Sequence, residues 1–353
     1  MKQFITFLAA VTLMAACVDN QIKPLPRGTA STQMTEAFEQ YLKAVADSAE
    51  DLHSVMVLQH GQVIAEKQIA PDTAHIMNSV SKTFTSTAVG FAISEGLLKL
   101  DDRIVDLFSE SLPEEVSERL SRVTLRHLLT MNSGHGQDPT GAIRNTDGDW
   151  IKAFMEWPQP FEPGTCYCYN SLGTYLLSAA VQKVTGQKIV DYLDTRLWQP
   201  LGIEKPFWQE SPAGINTGGW GLYLHTEDMA RMGLCLLNGG QFQGKQVIPA
   251  EWVKEMSSAQ VPCVGAGLNE EQVKDILKKS PDIPFFQPAN SDWVQGYGYQ
   301  MWRCRHNAFR ADGANGQYII IIPEKDAVVV TTAHIPNMQQ EINLIWEYLL
   351  PAL

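Results

Sequence analysis

The chain has 353 residues, of which 44% are hydrophobic and 19% charged, and its formal net charge at pH 7 is −12. That length and apolar content suffice for one large domain, or for two closely packed layers, around a real core. The acidic balance argues against a nucleic-acid-binding protein, because contacts with phosphates need clustered lysine and arginine.

Residues 1–17 predict an export signal. Lys2 gives a basic start, an apolar run spans 4–13, and small residues precede Cys17. This layout is typical of bacterial secretory signals, and the run is too short to remain as a membrane-spanning helix. Because a cysteine directly follows the small residues, we predict a lipoprotein whose Cys17 carries a lipid anchor, in the periplasm or on the outer surface. The alternative is ordinary secretion of a soluble periplasmic protein with an incidental cysteine.

A linker is predicted over 18–35, where Pro24, Pro26 and Gly28 disfavour regular structure, and the folded domain is predicted over 36–350. An odd number of cysteines remains after Cys17, so that internal disulfides could not pair all of them in an exported protein. We predict that most of them are buried as small apolar residues: Cys166, Cys168, Cys235, Cys263 and Cys304.

The predicted elements begin with a hairpin, followed by a buried helix over 83–95 that is apolar almost all round and stops at Gly96. Helical patterns dominate up to about residue 240, and short strand patterns return near the end, before a closing helix. The predicted ranges are 54–59 and 62–68 for the hairpin; 125–131, 175–185, 189–197, 226–237 and 342–350 for helices; and 298–304, 318–322 and 327–332 for strands.

This order predicts an α/β (α+β) fold with a mostly antiparallel sheet built from both ends of the chain. Helices flank the sheet, and an all-helical lobe is inserted between its two halves.

A possible nucleophile lies at the head of the buried helix, in the sequence Ser79-Val80-Ser81-Lys82. Positions i and i+3 are neighbours on one helical face, so the Lys82 amine can reach the Ser79 hydroxyl. A serine becomes a good nucleophile when an adjacent base takes its proton. Burial and the positive end of a helix both lower the pKa of a lysine towards that role.

A second segment could supply another proton-transfer group. Tyr169 follows the turn 161–165 and is succeeded by Asn170 and Ser171 just before a predicted helix. A phenol there could pass protons between nucleophile and leaving group. A half-buried packing role is the alternative for Tyr169, and the nearby Tyr167 is a rival for the catalytic one.

A third segment, 311–317, is a glycine-bearing turn directly before a strand. Acyl transfer needs backbone N–H groups directed at the oxyanion of the tetrahedral intermediate, and such a turn can present one. Taken alone, the segment is more typical of an ordinary glycine-bearing hairpin turn.

Together, Ser-x-x-Lys, Pro-Gly-Thr with a following Tyr-x-Ser, and the glycine turn before a late strand resemble the serine β-lactamase and penicillin-binding superfamily. The resemblance is greatest to the branch of class C β-lactamases, D-alanyl-D-alanine carboxypeptidases, carboxylesterases and 6-aminohexanoate-oligomer hydrolases, and it covers roughly 36–350. Supporting stretches lie at 95–102, 125–131, 133–134, 218–223 and 323–326.

The resemblance implies that Ser79 is the acylated nucleophile, Lys82 its activating amine and Tyr169 the second proton-transfer group. It leaves open which of the two acts as the base in acylation. The backbone N–H groups of Ser79 and Gln317 would form the oxyanion hole. The predicted substrate contacts are Ser171, Asn315 and Trp220, although Trp220, like Trp293 and Trp302, could instead serve packing.

One departure bears on the substrate. Antibiotic-processing members carry Lys-Thr-Gly or His-Thr-Gly in the third segment, whereas residues 313–316 here contain no cation. That cation helps to hold a substrate carboxylate, so hydrolysis of β-lactams or cell-wall peptides is less expected. Arg310 and His306 are the nearby residues that could replace it.

The sequence therefore predicts an exported serine hydrolase that cleaves a small ester or amide through an acyl-serine intermediate. No cofactor or metal is expected, because the histidines are scattered and Cys166-x-Cys168 has the wrong spacing for a zinc site. The alternatives are an acyltransferase that passes the acyl group to an alcohol or amine, a β-lactamase or D,D-peptidase, and a non-enzymatic penicillin-binding-type sensor or envelope scaffold.

Overall fold

The computed structural model describes residues 22–48, 50–264 and 269–353, so the predicted signal and the anchor residue Cys17 lie outside the described residues. The strands are β1 (Asp51–Gln59), β2 (Gln62–Gln68), β3 (His75–Ile76), β4 (Tyr223–Leu224), β5 (Gln241–Phe242), β6 (Lys245–Gln246), β7 (Trp302–Arg303), β8 (Phe309–Gly313), β9 (Gln317–Ile322) and β10 (Ala327–His334). Six of them form one antiparallel sheet in the order β2-β1-β10-β9-β8-β7. The predicted sheet built from both chain ends is confirmed.

The α-helices that the structure describes are arranged around this sheet and in the segment between its two halves. They are α1 (Thr32–Asp47), α2 (Ser81–Ser94), α3 (Ile104–Leu107), α4 (Leu125–Leu129), α5 (Thr140–Ile143), α6 (Trp150–Glu156), α7 (Ser171–Thr185), α8 (Ile189–Tyr192), α9 (Gln199–Leu201), α10 (Thr226–Leu237), α11 (Ala250–Ser257), α12 (Glu270–Lys279) and α13 (Met338–Leu344). None of the helices within the described ranges is both long and apolar enough to cross a membrane.

The sheet separates two apolar cores, because successive side chains of a strand point to opposite faces. In β1, Val55 and Val57 pack with α1 and α13, whereas Met56 and Leu58 pack with α2, α7 and α10. A sheet covered on both faces has strands that are apolar without alternation, as in β9 and β10.

Helix α2 is central to the second core, as predicted. Its residues are buried from Ser81 to Ala92, polar ones included. Trp252 lies so close to Gly90 that a Cβ there would be 2.4 Å from the indole ring. The helix ends just before Gly96, whose φ of +74° suits glycine.

Two predicted boundaries shift for identifiable reasons. Helix α7 begins at Ser171 instead of 175, because the Asn170 side chain caps it by accepting the N–H of Gly173 at 3.0 Å. The strand predicted over 298–304 is only β7, because Gln300 has a left-handed φ of +67° that interrupts extended backbone.

The segment predicted as a linker is partly ordered against the domain. Ser31 caps α1, which already begins at Thr32. Leu25 is buried, and its N–H donates to Glu227 at 2.6 Å, while Arg27 bridges to Val63. Proline and glycine disfavour regular structure over 24–28, but they do not prevent such tertiary contacts.

The five cysteines that follow Cys17 are all buried, as predicted for most of them: Cys166, Cys168, Cys235, Cys263 and Cys304.

Candidate active site

Ser79 lies in a single 3-10 turn, Asn78–Val80, immediately before α2. Asn78 has a left-handed φ of +46°, a conformation that is uncommon outside glycine and clusters at functional sites. Its side-chain amide donates to the Ala314 carbonyl at 2.9 Å. The turn carrying Ser79 is thereby attached to the hairpin between β8 and β9.

Gly313 allows this close approach. A Cβ at Gly313 would lie 2.3 Å from the carbonyl oxygen of Met77, so any other residue would push β8 away from the turn. The sequence motif and the glycine turn, 230 residues apart along the chain, therefore meet at one edge of the sheet.

The Lys82 amine is buried beneath Ser79 and makes three hydrogen bonds. It donates to Ser79 Oγ at 2.9 Å, to Ser171 Oγ at 3.0 Å and to the Gly219 carbonyl at 2.8 Å. Burial lowers the pKa of Lys82 to about 7, although the carboxylates of Asp138 and Asp312 act in the opposite direction. An amine with that pKa is available as a base near neutral pH.

Tyr169 lies over the same amine. Its half-buried ring centroid is 4.9 Å from Lys82 Nζ and 5.5 Å from the ring of Trp302, on which it stacks at 22°. Burial raises the pKa of the Tyr169 phenol well above its ordinary value, and a hydrogen bond with Ser79 acts in the opposite direction. The rival Tyr167 is fully buried, edge-on to Tyr297 and Trp302.

We call Ser79, Lys82, Tyr169 and Ser171 the catalytic cluster. Ser171, expected as a substrate contact, is bonded directly to Lys82. It occupies the first turn of α7, where its N–H donates to the exposed carboxylate of Asp138 at 3.2 Å.

Asp138 and Gly219 were not predicted at the site. Gly219 acts through its backbone carbonyl, and its Cα must approach Ser171, because a Cβ there would be 2.6 Å from the Ser171 carbonyl. A backbone acceptor leaves no side-chain pattern in a sequence. The stretch 218–223 suggested only a general resemblance, and Asp138 belongs to no motif.

The third segment is the β8–β9 hairpin. Gln317 lies opposite Gly313, and its side chain is engaged at the end of β10, where Nε2 donates to the Ala333 carbonyl. Asn315 has a φ of +67°, and its carbonyl accepts the N–H of Ile335 at 3.0 Å. The bond from Asn78 reaches the carbonyl of Ala314, which lies between Gly313 and Asn315 in the same hairpin.

Trp220 packs against Trp150, with ring centroids 6.0 Å apart, while the preceding residue contacts Lys82. Trp220, whose ring is half-buried, is therefore the next residue in sequence after one that contacts the catalytic cluster.

Arg310, a possible replacement for the missing cation, is completely buried. Its Nε donates to Asp312 at 2.7 Å, and its guanidinium lies 4.6 Å from the Trp293 ring centroid. The other candidate, His306, packs its ring against Trp346. Arg310 is thus held inside the protein, whereas His306 is exposed.

The architecture is that of the β-lactamase and penicillin-binding proteins. A solved structure of a penicillin-binding protein homologue from Caulobacter crescentus matches with a TM-score of 0.69 at 15% identity, over 92% of this chain and 99% of that one. At that identity the likeness shows a shared fold.

The profile of the β-lactamase family matches residues 38–350, and the chain belongs to this family. A 6-aminohexanoate-dimer hydrolase of Paenarthrobacter ureafaciens is 24% identical over 309 residues, which are 80% of this chain and 72% of that one. An uncharacterized protein of Alkalihalophilus pseudofirmus is 25% identical over 299 residues, 77% of each chain. The family predicted from the three motifs is confirmed.

Proposed function

We propose that the protein is an exported serine hydrolase that cleaves an ester or amide bond through an acyl-Ser79 intermediate. The observation that carries the proposal is the contact between Ser79 Oγ and a buried lysine amine with a pKa of about 7. An activated hydroxyl needs such a base within hydrogen-bonding distance.

In the proposed mechanism Lys82, in its neutral form, takes the proton of Ser79 as Oγ attacks the substrate carbonyl carbon. Lys82 is favoured over Tyr169 as the base because burial keeps the phenol protonated. Tyr169 then relays the proton to the departing oxygen or nitrogen, and the bond from carbon to the leaving group breaks. Water attacks the acyl-enzyme through the same groups in reverse, releasing the acid.

The backbone N–H of Ser79 supplies one donor of the proposed oxyanion hole, and the β8–β9 hairpin supplies the other. Gln317 is the predicted donor.

The state of Arg310 disfavours substrates that depend on a carboxylate. An arginine that recognises a carboxylate must present its guanidinium to the substrate, whereas Arg310 is buried against Asp312. Neutral esters and amides are therefore preferred over β-lactams and peptides with a free C-terminus.

The decisive experiment is labelling with a fluorophosphonate probe, followed by identification of the modified peptide. We expect the probe on Ser79, and we expect Ser79→Ala to abolish both labelling and ester hydrolysis while the circular dichroism spectrum is unchanged. Ser94→Ala, at the exposed end of the helix α2, is the matched control and should retain both the labelling and the ester hydrolysis. A folded Ser79→Ala protein that still turns over substrate would overturn the mechanism, and unlabelled wild type would favour a scaffold.

Export and lipid anchoring at Cys17 are part of the proposal and rest on the sequence of 1–17. Radiolabelled palmitate supplied to expressing cells should enter the wild type and not Cys17→Ala. Label that persists in the variant would exclude Cys17 as the anchor.

A further inference from the structure

The Tyr169 phenol exchanges hydrogen-bond partners in the proposed mechanism, so something other than those hydrogen bonds must hold it in place. The phenol bonds to Ser79 before the reaction and to the leaving atom of the substrate during it. Its ring is only half-buried, and a tyrosine side chain can turn about two bonds. The contacts of the ring therefore decide whether the hydroxyl stays beside the nucleophile.

Trp302 supplies one of these ring contacts. The two rings stack at an angle of 22° with centroids 5.5 Å apart, and the Lys82 amine lies 4.9 Å from the same Tyr169 centroid. Offset stacking is a favoured arrangement for an aromatic pair. Tyr297 adds an edge-on contact at 6.2 Å. Stacking fixes the plane of the Tyr169 ring, and a fixed plane limits where the hydroxyl can lie.

The Trp302 indole is itself enclosed by other side chains. It is 3% exposed, and three rings meet it edge-on, with centroid distances of 5.0 Å for Trp293, 4.9 Å for Tyr297 and 6.2 Å for Tyr167. The Arg310 guanidinium lies 5.5 Å from the indole centroid, a distance at which a cation and an aromatic ring attract each other. Because its neighbours enclose it, the indole can support a ring that is more exposed.

Strand β8 connects this support to the nucleophile. Trp302 in β7 pairs with Arg310 near the start of β8. At the other end of β8, Gly313 lies against the carbonyl of Met77, two residues before Ser79. The indole and the nucleophile are therefore placed by the same strand.

We propose that Trp302 is a positioning residue for the reaction, and that it holds the Tyr169 hydroxyl where the hydroxyl can protonate the leaving group. The inference rests on the proposed function, in which Tyr169 relays the proton. In the step concerned, the bond from the carbonyl carbon to the leaving oxygen breaks. The proton that Lys82 took from Ser79 passes through Tyr169 to that oxygen. Trp302 acts through Tyr169 and takes no part in making or breaking bonds.

Two esters with the same acyl group separate this role from packing. An alkoxide is a poor leaving group and needs the proton, whereas 4-nitrophenolate departs as a stabilised anion without it. A displaced Tyr169 hydroxyl should therefore slow acylation by ethyl acetate far more than acylation by 4-nitrophenyl acetate. A general distortion of the site should slow both. We define the ester ratio as kcat/KM for ethyl acetate divided by kcat/KM for 4-nitrophenyl acetate.

Trp302→Leu removes the stacking surface. We expect it to lower kcat/KM for ethyl acetate between about tenfold and 10²-fold, the scale for displacing a reacting group by about 1 Å, and to leave 4-nitrophenyl acetate nearly unchanged. Trp302→Phe keeps a ring of smaller area, so its ester ratio should fall by less but still fall. This second variant keeps the test decisive if the leucine variant does not fold.

A double-mutant cycle with Tyr169→Phe gives an independent measurement. Tyr169→Phe keeps the ring and removes the hydroxyl, so Trp302→Leu should have no further effect on ethyl acetate in that background. The matched control is Trp252→Leu, which removes another buried indole, one whose ring neighbour is Tyr299. It should lower the free energy of unfolding in urea denaturation and leave the ester ratio at the wild-type value.

The outcomes separate this inference from the proposed function. If a fluorophosphonate labels Ser79 but every folded Trp302 variant keeps the wild-type ester ratio, or the losses in the cycle simply add, Trp302 is a packing residue and the inference is wrong. A wild-type ester ratio in Tyr169→Phe would remove the proton relay and the inference together. Absence of both labelling and hydrolysis of either ester would overturn the hydrolase itself.

Discussion

Lys82 and Arg310 are both buried cations close to the sheet edge, but their surroundings differ. Lys82 contacts two hydroxyl groups and a carbonyl, whereas Arg310 contacts the carboxylate of Asp312. Burial therefore lowers the pKa of Lys82 to about 7. Burial also acts to lower the pKa of Arg310, but its neighbours outweigh this and raise it well above its ordinary value.

The comparison shows how burial lowers the pKa of one cation while a second buried cation forms an ion pair. Only neutral groups accept hydrogen bonds from the lysine, and the charges of Asp138 and Asp312 do not outweigh its burial, so the amine can lose its proton near neutral pH. A carboxylate at contact distance fixes the charge of the arginine, which then holds Asp312 and lies against Trp293 and Trp302. A fixed charge at position 82 should therefore slow catalysis, and loss of the carboxylate beside Arg310 should lower stability.

The largest effect is expected from Lys82→Arg, which gives the catalytic cation the permanent charge of Arg310. A guanidinium does not lose its proton in this pH range, so acylation should slow by roughly 10²–10⁴-fold. Single-turnover acylation measures this directly. Lys82→Met is the control, because it removes the charge as well. If Lys82→Arg is much more active than Lys82→Met, the cation serves by its charge, and the assignment of Lys82 as the base is wrong.

The converse change, Asp312→Asn, leaves Arg310 buried without its carboxylate. Removal of one partner from a buried ion pair should lower the free energy of unfolding by about 3 kcal/mol, as measured by urea denaturation. The matched control is Asp106→Asn, which breaks the exposed pair with Arg103 and should change stability by less than about 1 kcal/mol. Equal effects in the two variants would show that the Arg310 pair is not structural.

The pH dependence of kcat/KM tests the ionisation of Lys82. Below its pKa of about 7 the amine carries a proton and cannot accept another, so kcat/KM should rise with pH to a plateau above about 7. Asp138→Asn should move the midpoint to lower pH, because Asp138 raises the pKa of Lys82. A rise that continues above pH 9 would indicate Tyr169 as the base.

A pH-dependent effect on stability is expected from a buried acid with no catalytic role in the proposed mechanism. Glu341 lies behind the hairpin, where a Cβ on Gly316 would be 2.2 Å from its Oε2. Burial raises the pKa of Glu341 well above its ordinary value, and the carboxylates of Glu50 and Asp312 add to the shift. Tyr41 is a further titratable neighbour.

Since the folded pKa is raised, the wild type should lose stability as pH rises from the unfolded pKa to the folded one, by about 1.4 kcal/mol per pH unit. Glu341→Gln removes this loss, so in urea denaturation its free energy of unfolding should gain over that of the wild type as pH rises above the unfolded pKa. Glu39→Gln, on the exposed surface of α1, should follow the wild type. Parallel pH curves for Glu341→Gln and the wild type would show that Glu341 is not buried in its neutral form.

The order of elements, the buried helix α2 and the sheet from both chain ends could be predicted because they follow from apolar periodicity and turn residues. Two of the boundaries that moved depend on single residues: the cap at Asn170 and the left-handed backbone at Gln300. The contact between Ser171 and Lys82 was not predicted for a different reason. It joins residues 89 positions apart, which no local pattern encodes.

The sequence by itself determined the pairing of Ser79 with Lys82, because a spacing of three residues at the head of a helix brings two side chains together whatever the rest of the chain does. Only the tertiary structure decided the pKa of the Lys82 amine. The depth of burial, the Gly219 carbonyl beside Lys82, and the engagement of Arg310 by Asp312 depend on how distant segments pack. Burial and the identity of the contacting groups set the ionisation of a side chain.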